Sequence, residues 1–255
     1  MNQLWVRYQH AGRVAFGTLA TGRVHEHAGD MFGAHESTGV SHALGDVTLL
    51  SPSAPSKVIA LWNNFHALAA RLKLPDCAEP LYFLKSPNSW SAHGAPIALP
   101  RRPAKVVFEG ELGVVIGRRA AGVDEADAMA HVFGYTCVND VTAADVLNRD
   151  ASFAQWIRAK GLDGFCPMGP AIATGLDPAT LSVTTRLNGD VRQHYAISDM
   201  RFPVARLVSL ISMDLTLEAG DVILCGTSLG VGSMKPGSVV EVEIEGIGTL
   251  RNRYG

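Results

Sequence analysis

The chain has 255 residues, is 47% hydrophobic and 18% charged, and carries a formal net charge of −2. This excludes a disordered or low-complexity chain, and the balanced charge excludes a basic nucleic-acid binder or a polybasic membrane-surface protein. No run approaches the roughly 20 apolar residues of a membrane span, and the stretch MNQLWVRYQHAGRVAFG has no apolar core of signal-peptide length.

Residues 1–50 alternate short apolar runs (Leu4-Trp5-Val6, Val14-Ala15-Phe16, Val47–Leu50) with Gly and His, and read as a small N-terminal β-rich domain. The turn-rich Ser51–Ser56 marks its boundary with a main domain over 51–255. A helix is predicted over 63–74, capped by Asn63 or Asn64 and stopped by Pro75. KVVFEGELGVVIG, residues 105–117, reads as one buried strand. Helices follow at 124–132, with Asp124 as N-cap, and at 203–213, opened by Pro203. Strands are predicted at 135–139, 169–174, 182–188, 221–226 and 238–245, with Asn188-Gly189 as a hairpin turn. The sum is an α+β fold, mainly β, with flanking helices. The cysteines (Cys77, Cys137, Cys166, Cys225) are scattered without a CxxC pair, as expected of reduced thiols in a cytoplasmic protein.

Glu109 and Glu111 stand two residues apart within the apolar strand. Alternation puts both carboxylates on one face, roughly 7 Å apart at about 3.4 Å per residue. Like charges in that position are costly. Either the face is solvated, or a cation neutralises the pair, and oxygen ligands suit Mg²⁺, Mn²⁺ or Ca²⁺ rather than zinc. Spacing alone does not choose, because Glu241, Glu243 and Glu245 repeat the pattern on a strand read as solvated. Asp140, after a buried-looking strand in GYTCVNDVTAAD, is the candidate third ligand, or else a turn aspartate. Lys160, before a Gly-rich turn, is either a solvated lysine or the holder of a substrate carboxylate. Thr227 sits in the glycine-rich LCGTSLGVG, an anion-binding loop or a plain turn. His25, His27, His35 and His42 read as surface loop histidines rather than a metal cluster; His25-Glu26-His27 is not HExxH, and Gly230-Val-Gly232 is not a dinucleotide fingerprint.

In this order, EPLYFLKSPNS, EGELGVVIG, GYTCVNDVTAAD, KGLDGFCPMGP, LNGDVRQ and LEAGDVILCGTSLGVGSMKPGSVVEVEIEGIGTLRN resemble the fumarylacetoacetate hydrolase family, over about residues 59–253. Within it the first and fourth look most like the isomerase/decarboxylase of homoprotocatechuate breakdown. The resemblance implies a rolled mixed β-sheet or incomplete barrel and usually a homodimer. It implies a divalent metal, Mg²⁺ or Mn²⁺ with Ca²⁺ as a further option, on Glu109, Glu111 and Asp140. Lys160 matches the active-site lysine and Thr227 the substrate-contacting Gly-Thr, while Arg192 is a candidate for a distal carboxylate and Asp145 for orienting loops.

Hydrolytic members carry N-Y-x-x-H-x-x-E before the FLK motif, a His/Glu pair that activates water. Here Asn64 and Phe65 take the first two places, but Leu68 and Arg71 fall where His and Glu would be. His66, two residues away, is the one candidate replacement. The expected reaction is therefore metal-dependent decarboxylation or isomerisation of an unsaturated 2-oxo (or enol) di- or tricarboxylate in aromatic-compound catabolism. The alternatives are acylpyruvate hydrolysis, a small oxoacid decarboxylase or tautomerase, and a non-catalytic metal-stabilised subunit.

Overall fold

The computed structural model describes residues 2–255; Met1, part of the 1–50 segment, lies outside the described residues. The chain begins with an antiparallel meander of β1 (Gln3–His10), β2 (Arg13–Ala20), β3 (Arg23–Gly29) and β4 (His35–Ala43). Its first two turns are two-residue loops, Ala11-Gly12 and Thr21-Gly22, with all four φ angles positive. That is the twist-matched hairpin geometry. β5 (Thr48–Leu49) pairs with β1.

β6 (Val58–Trp62) leads into α1 (His66–Leu72) and then β7 (Leu81–Lys85), which pairs back on β6, and β8 (Trp90–Ala92). The helix predicted over 63–74 is shorter at both ends, and neither asparagine caps it. Asn64 is spent elsewhere: its Nδ2 donates to the Cys225 carbonyl at 2.9 Å and its Oδ1 accepts from Phe202 N–H at 3.1 Å. The first-turn amide of Ala67 instead donates to Asp199 Oδ2 at 3.0 Å. Lys73 in the left-handed region ends the helix before Pro75 is reached.

The strand predicted as continuous over 105–117 is two strands, β9 (Val106–Phe108) and β10 (Gly110–Ile116), broken at Glu109. α2 (Glu125–Ala128) tightens into a single 3₁₀ turn before β11 (Val132–Asn139), so the helix at 124–132 is shorter than its sequence suggests. Then come β12 (Thr142–Ala143), α3 (Ala144–Leu147), α4 (Trp156–Lys160), β13 (Cys166–Thr174), and the hairpin β14 (Ser182–Leu187) and β15 (Asp190–Ala196) around Asn188-Gly189. α5 (Val204–Asp214) buries Val204, Leu207, Val208 and Ile211, the i, i+3, i+4, i+7 stripe of a helix lying on a core. β16 (Val222–Leu224), β17 (Gly232–Ser233), β18 (Val239–Ile244) and β19 (Gly248–Arg253) close the chain.

These strands make three sheets. The largest runs β4-β3-β2-β1-β13-β11-β10-β16-β6-β7, with β5 on β1 and β8 on β13; its β16–β6 and β13–β8 pairs are parallel and the others antiparallel. The N-terminal meander is thus continuous with the main sheet through β1 on β13. A four-stranded sheet, β15-β14-β18-β19, supplies Val183, Val240, Val242 and Ile244 to the same core as β10 and α5. A three-stranded sheet, β12-β9-β17, lies at the break beside Glu109. On β18 the acids alternate outward: Glu241 pairs with Arg251 at 3.3 Å and Glu243 with Arg186, both partly exposed. No helix among the described residues is long and apolar enough to cross a membrane.

Candidate metal centre

The break in the strand brings the acids together. With no ladder partner, Glu109 N–H donates to Asn139 Oδ1 at 3.0 Å, and its carbonyl accepts from Asp140 N–H at 2.8 Å. This stitches the end of β9 to the end of β11. One carboxylate oxygen each of Glu109, Glu111 and Asp140 then lies within 4.8 Å of the others. Each acid is also aimed by a donor. Thr142 Oγ1 donates to Glu109 Oε1 at 2.8 Å, and Gly226 N–H donates to Glu111 Oε2 at 2.8 Å. Asp140, with no exposed surface, is held by ammonium groups.

There are two of these. Lys160 Nζ donates to Asp140 Oδ2 at 2.6 Å and to Glu109 Oε2 at 2.8 Å. Lys85, itself buried, donates to Asp140 Oδ1 at 2.6 Å and to the Phe165 carbonyl at 3.0 Å. Three carboxylates thus meet two ammonium groups, and Glu111 is the acid that neither lysine touches. Burial first, and then the charges of Asp140 and Glu109, push the Glu111 carboxyl well above the usual range. Burial would also raise Asp140, but Lys160 and Lys85 outweigh it and hold that carboxyl low. Burial would lower the Lys160 ammonium, but Asp140, Glu109 and Glu111 hold it above its ordinary value.

These residues fit a divalent cation. An uncompensated buried carboxylate is costly, and a cation on Glu109, Glu111 and Asp140 would balance the surplus negative charge. The donors are all hard oxygens, which suits Mg²⁺, Mn²⁺ or Ca²⁺. Burial pushes the neighbouring Cys166 thiol up to about 12 and Cys225 further, so neither offers a thiolate near neutral pH.

Gly110, between the two glutamates, is fixed from the opposite side. Its carbonyl accepts from Tyr195 O–H at 2.6 Å and from Thr227 Oγ1 at 3.1 Å, and its N–H donates to Gln193 Oε1 at 3.0 Å. Gln193 Nε2 donates in turn to Thr227 Oγ1 at 2.8 Å. A Cβ at Gly110 would stand 2.0 Å from Thr185 Oγ1 and 3.3 Å from Val242 Cγ1. Gly110→Ala is therefore expected to cost about 1–3 kcal/mol by overpacking. The urea midpoint of the metal-free protein reads it, and an unchanged midpoint would contradict the close approach.

Of the residues singled out in the sequence, Glu109, Glu111, Asp140 and Lys160 converge, and Thr227 adjoins them through Gly110. Arg192 lies exposed on β15, its guanidinium near Gly232 at the rim. His66 is exposed at the first residue of α1; no hydrogen bond or ion pair joins it to the acids among the described residues. On α1, Leu68 packs against the core and Arg71 is exposed. The four histidines of the N-terminal meander do not converge: His27 and His35 meet edge to face at 5.4 Å, while His42 lies tilted against His10. Asp145 binds the Lys105 amide at 2.9 Å, outside the centre. Sequence reasoning assigned no role to Lys85, Thr142, Gln193 or Tyr195. The signal for Lys85 was present: it shares one face of β7 with Leu81 and Phe83, an apolar alternation ending in a charge.

Fold and centre together define a β-rich enzyme scaffold with a cluster of acids that could hold a metal ion, backed by lysines. Residues 57–254 match the family model described as fumarylacetoacetate (FAA) hydrolase, C-terminal, and residues 4–52 match one described as Rv2993c-like, N-terminal. The chain belongs to the fumarylacetoacetate hydrolase family. It is 37% identical over 229 residues to an oxaloacetate tautomerase of Bacillus subtilis, covering 84% of this chain and 75% of that protein. Its structure resembles that of 2-hydroxyhepta-2,4-diene-1,7-dioate isomerase from Mycobacterium marinum, with TM-score 0.91 and 40% identity over 99% of this chain and 98% of the other. It also resembles 5-carboxymethyl-2-hydroxymuconate delta-isomerase from Mycobacterium smegmatis, with TM-score 0.90 and 41% identity over the same shares.

Proposed function

We propose that the chain is a divalent-cation-dependent isomerase or tautomerase of 2-oxo carboxylates, moving a proton between carbon and oxygen or along a conjugated system. The observation that carries this reading is Lys160 bridging Glu109 and Asp140 beside Glu111, without a His/Glu pair on α1. The isomerase and tautomerase relatives support it. Decarboxylation of an unsaturated 2-oxo diacid in aromatic-compound catabolism would use the same enolate and is a narrower form of the reading.

Glu109, Glu111 and Asp140 would hold a Mg²⁺ or Mn²⁺ ion, which would supply Lewis acidity toward a 2-oxo carboxylate. The chain's own residues do the rest. Lys85, buried, keeps Asp140 ionised and oriented. Thr142 and the Gly226 amide fix the two glutamates. Lys160 carries the transferable proton at Nζ, which bridges two of the acids, and gives it to or takes it from the substrate as the double bond shifts. Burial of Glu111, Asp140 and Lys160 limits access of water to these groups.

The test is ketonisation of enol-oxaloacetate and isomerisation of 2-hydroxyhepta-2,4-diene-1,7-dioate, followed by ultraviolet absorbance. Activity that requires Mg²⁺ or Mn²⁺ and vanishes with EDTA is expected; inactivity on both substrates with the metal present would refute the reading. Lys160→Met should lower turnover about 10²–10⁴-fold, the range of a lost general acid or base, while changing Mg²⁺ affinity far less. Acylpyruvates should be cleaved slowly or not at all. Fast cleavage would instead make the chain a hydrolase with its base elsewhere, and His66→Ala would show whether that base is His66.

A further inference from the structure

We propose that an aromatic groove beside the candidate cation site receives the distal tail of the substrate and favours 2-oxo acids whose tail is planar and conjugated. The proposal rests on the isomerase reading and adds the substrate class.

Two elements that deliver site lysines also deliver aromatic rings. α4 carries Trp156 and Lys160 four residues apart, hence on one helix face. β7 carries Phe83 and Lys85 two apart, hence on one strand face. The result is contiguous. Phe83 and Trp156 stack at 4.7 Å between centroids with 16° between planes, Trp62 lies 5.9 Å from Trp156, and Lys160 Nζ lies 5.3 Å from the Phe83 centroid. A cavity of about 410 Å³ opens here, lined by Trp62, Pro80, Leu81, Tyr82, Phe83 and Trp156.

A cluster serving only to pack would be covered. None of these residues is buried, and Leu81 is 44% exposed on the terminal strand of the sheet. The groove also has a definite chemistry. No charged side chain lines it, and the Tyr82 hydroxyl is already spent on Asp214 Oδ2 at 2.8 Å. A carboxylate held against the rings would lose water without gaining a partner, so the terminal carboxylate of a diacid is expected beyond them, at the open edge by Leu81. An aryl or conjugated alkenyl group would instead stack on the rings. With the 2-oxo carboxylate at the acids, a tail passing Lys160 meets Phe83 first and the two tryptophans next. A four-carbon acid such as oxaloacetate has no tail to place there.

The probe is benzylidenepyruvate, a 2-oxo acid with a conjugated phenyl tail and no C3 proton able to tautomerise. Oxalate is the tail-less control, and both are titrated calorimetrically into the Mg²⁺-loaded protein. Expected is tighter binding of benzylidenepyruvate than oxalate, with the ratio of the two Kd values falling at least tenfold in Trp156→Ala and in Trp62→Ala, and largely restored in Trp156→Phe. Trp62 is not on the helix that bears Lys160, so it reads the groove even should Trp156→Ala fail to fold. An unchanged ratio, or equal weakening of both ligands, would overturn the groove. Oxalate binding without benzylidenepyruvate binding would overturn it too and leave the isomerase reading standing. Binding of neither ligand would remove both.

Discussion

Glu111→Gln is expected to raise the thermal midpoint of the metal-free protein while abolishing the further rise that Mg²⁺ gives the native chain. Glu111 is buried, faces two other acids and is touched by neither lysine. Burying it therefore costs stability in the metal-free protein, a cost that a bound cation would offset. Glutamine keeps an oxygen for the Gly226 amide and places an NH₂ donor toward Asp140 and Glu109. The effect has a pH signature. A folded carboxyl raised above its unfolded value of 4.5 contributes stability below that value and loses it as pH rises through the folded value. The advantage of Glu111→Gln over the native chain in EDTA should thus grow with pH above about 4.5 and then level off. Differential scanning calorimetry across pH, with EDTA and with excess Mg²⁺, measures both effects. A lower midpoint for the variant in EDTA would mean that burying Glu111 costs the metal-free fold nothing. Full turnover by the variant would remove Glu111 from the cation site.

Asp140→Asn should do the opposite and destabilise the metal-free protein by about 3–5 kcal/mol, the cost of leaving a buried charge without its partner. The loss falls chiefly on Lys85, because Lys160 retains Glu109 whereas no other acid pairs with Lys85 among the described residues. Lys85→Met/Asp140→Asn should therefore recover a large part of what Asp140→Asn alone loses, as contacting partners do in a double-mutant cycle. Urea unfolding in EDTA reads all three variants, and additive losses would contradict the pairing. The pH dependence has the reverse sign to that of Glu111. A carboxyl held below its unfolded value of 3.8 stabilises above that value, and the stabilisation disappears as pH falls through the folded value. The metal-free protein is thus pulled in opposite directions by two acids of one site.

Much of the sheet was legible because alternation and turn residues are local. Asn188-Gly189 marked its hairpin, and β18 showed its solvated acids by the same period of two that β10 shows. What separates Glu111 from Glu243 is not in that period. Glu111 is covered by the Gly226 loop, while Glu243 reaches Arg186 at a partly open face. The break at Glu109 was equally hidden. Between Val106 and Ile116 only the two acids, Gly110 and Gly113 interrupt the apolar run, and none of them specifies a break at 109; there Asn139, thirty residues on, takes the Glu109 amide. Asn64 misled for a related reason, since a good N-cap residue was claimed by Cys225 and Phe202. Gln193 and Tyr195 clamp Gly110 from more than eighty residues away, beyond the reach of any local pattern. The joint appearance of Glu109, Glu111, Asp140 and Lys160 was foreseen only through the family resemblance.

The pairing of β1 with β13 sets a timetable. Gln3, Leu4 and Trp5 lie opposite Thr174, Ala173 and Ile172. On the ribosome, β1 must wait about 170 residues for that neighbour, roughly ten to thirty seconds at about 5–20 residues per second. During that interval the meander can close its own hairpins and β5 can cover Tyr8 and Gln9, but the Gln3–Trp5 part of β1 presents an unpaired edge, the kind of edge that recruits foreign strands. The outer strand β4 has six consecutive exposed residues, His35–Val40, and so does not share that apolar hazard. Nascent chains stalled between the meander and β13 would therefore be the aggregation-prone species, and the hazard ends only when β13 emerges and β1 docks on it.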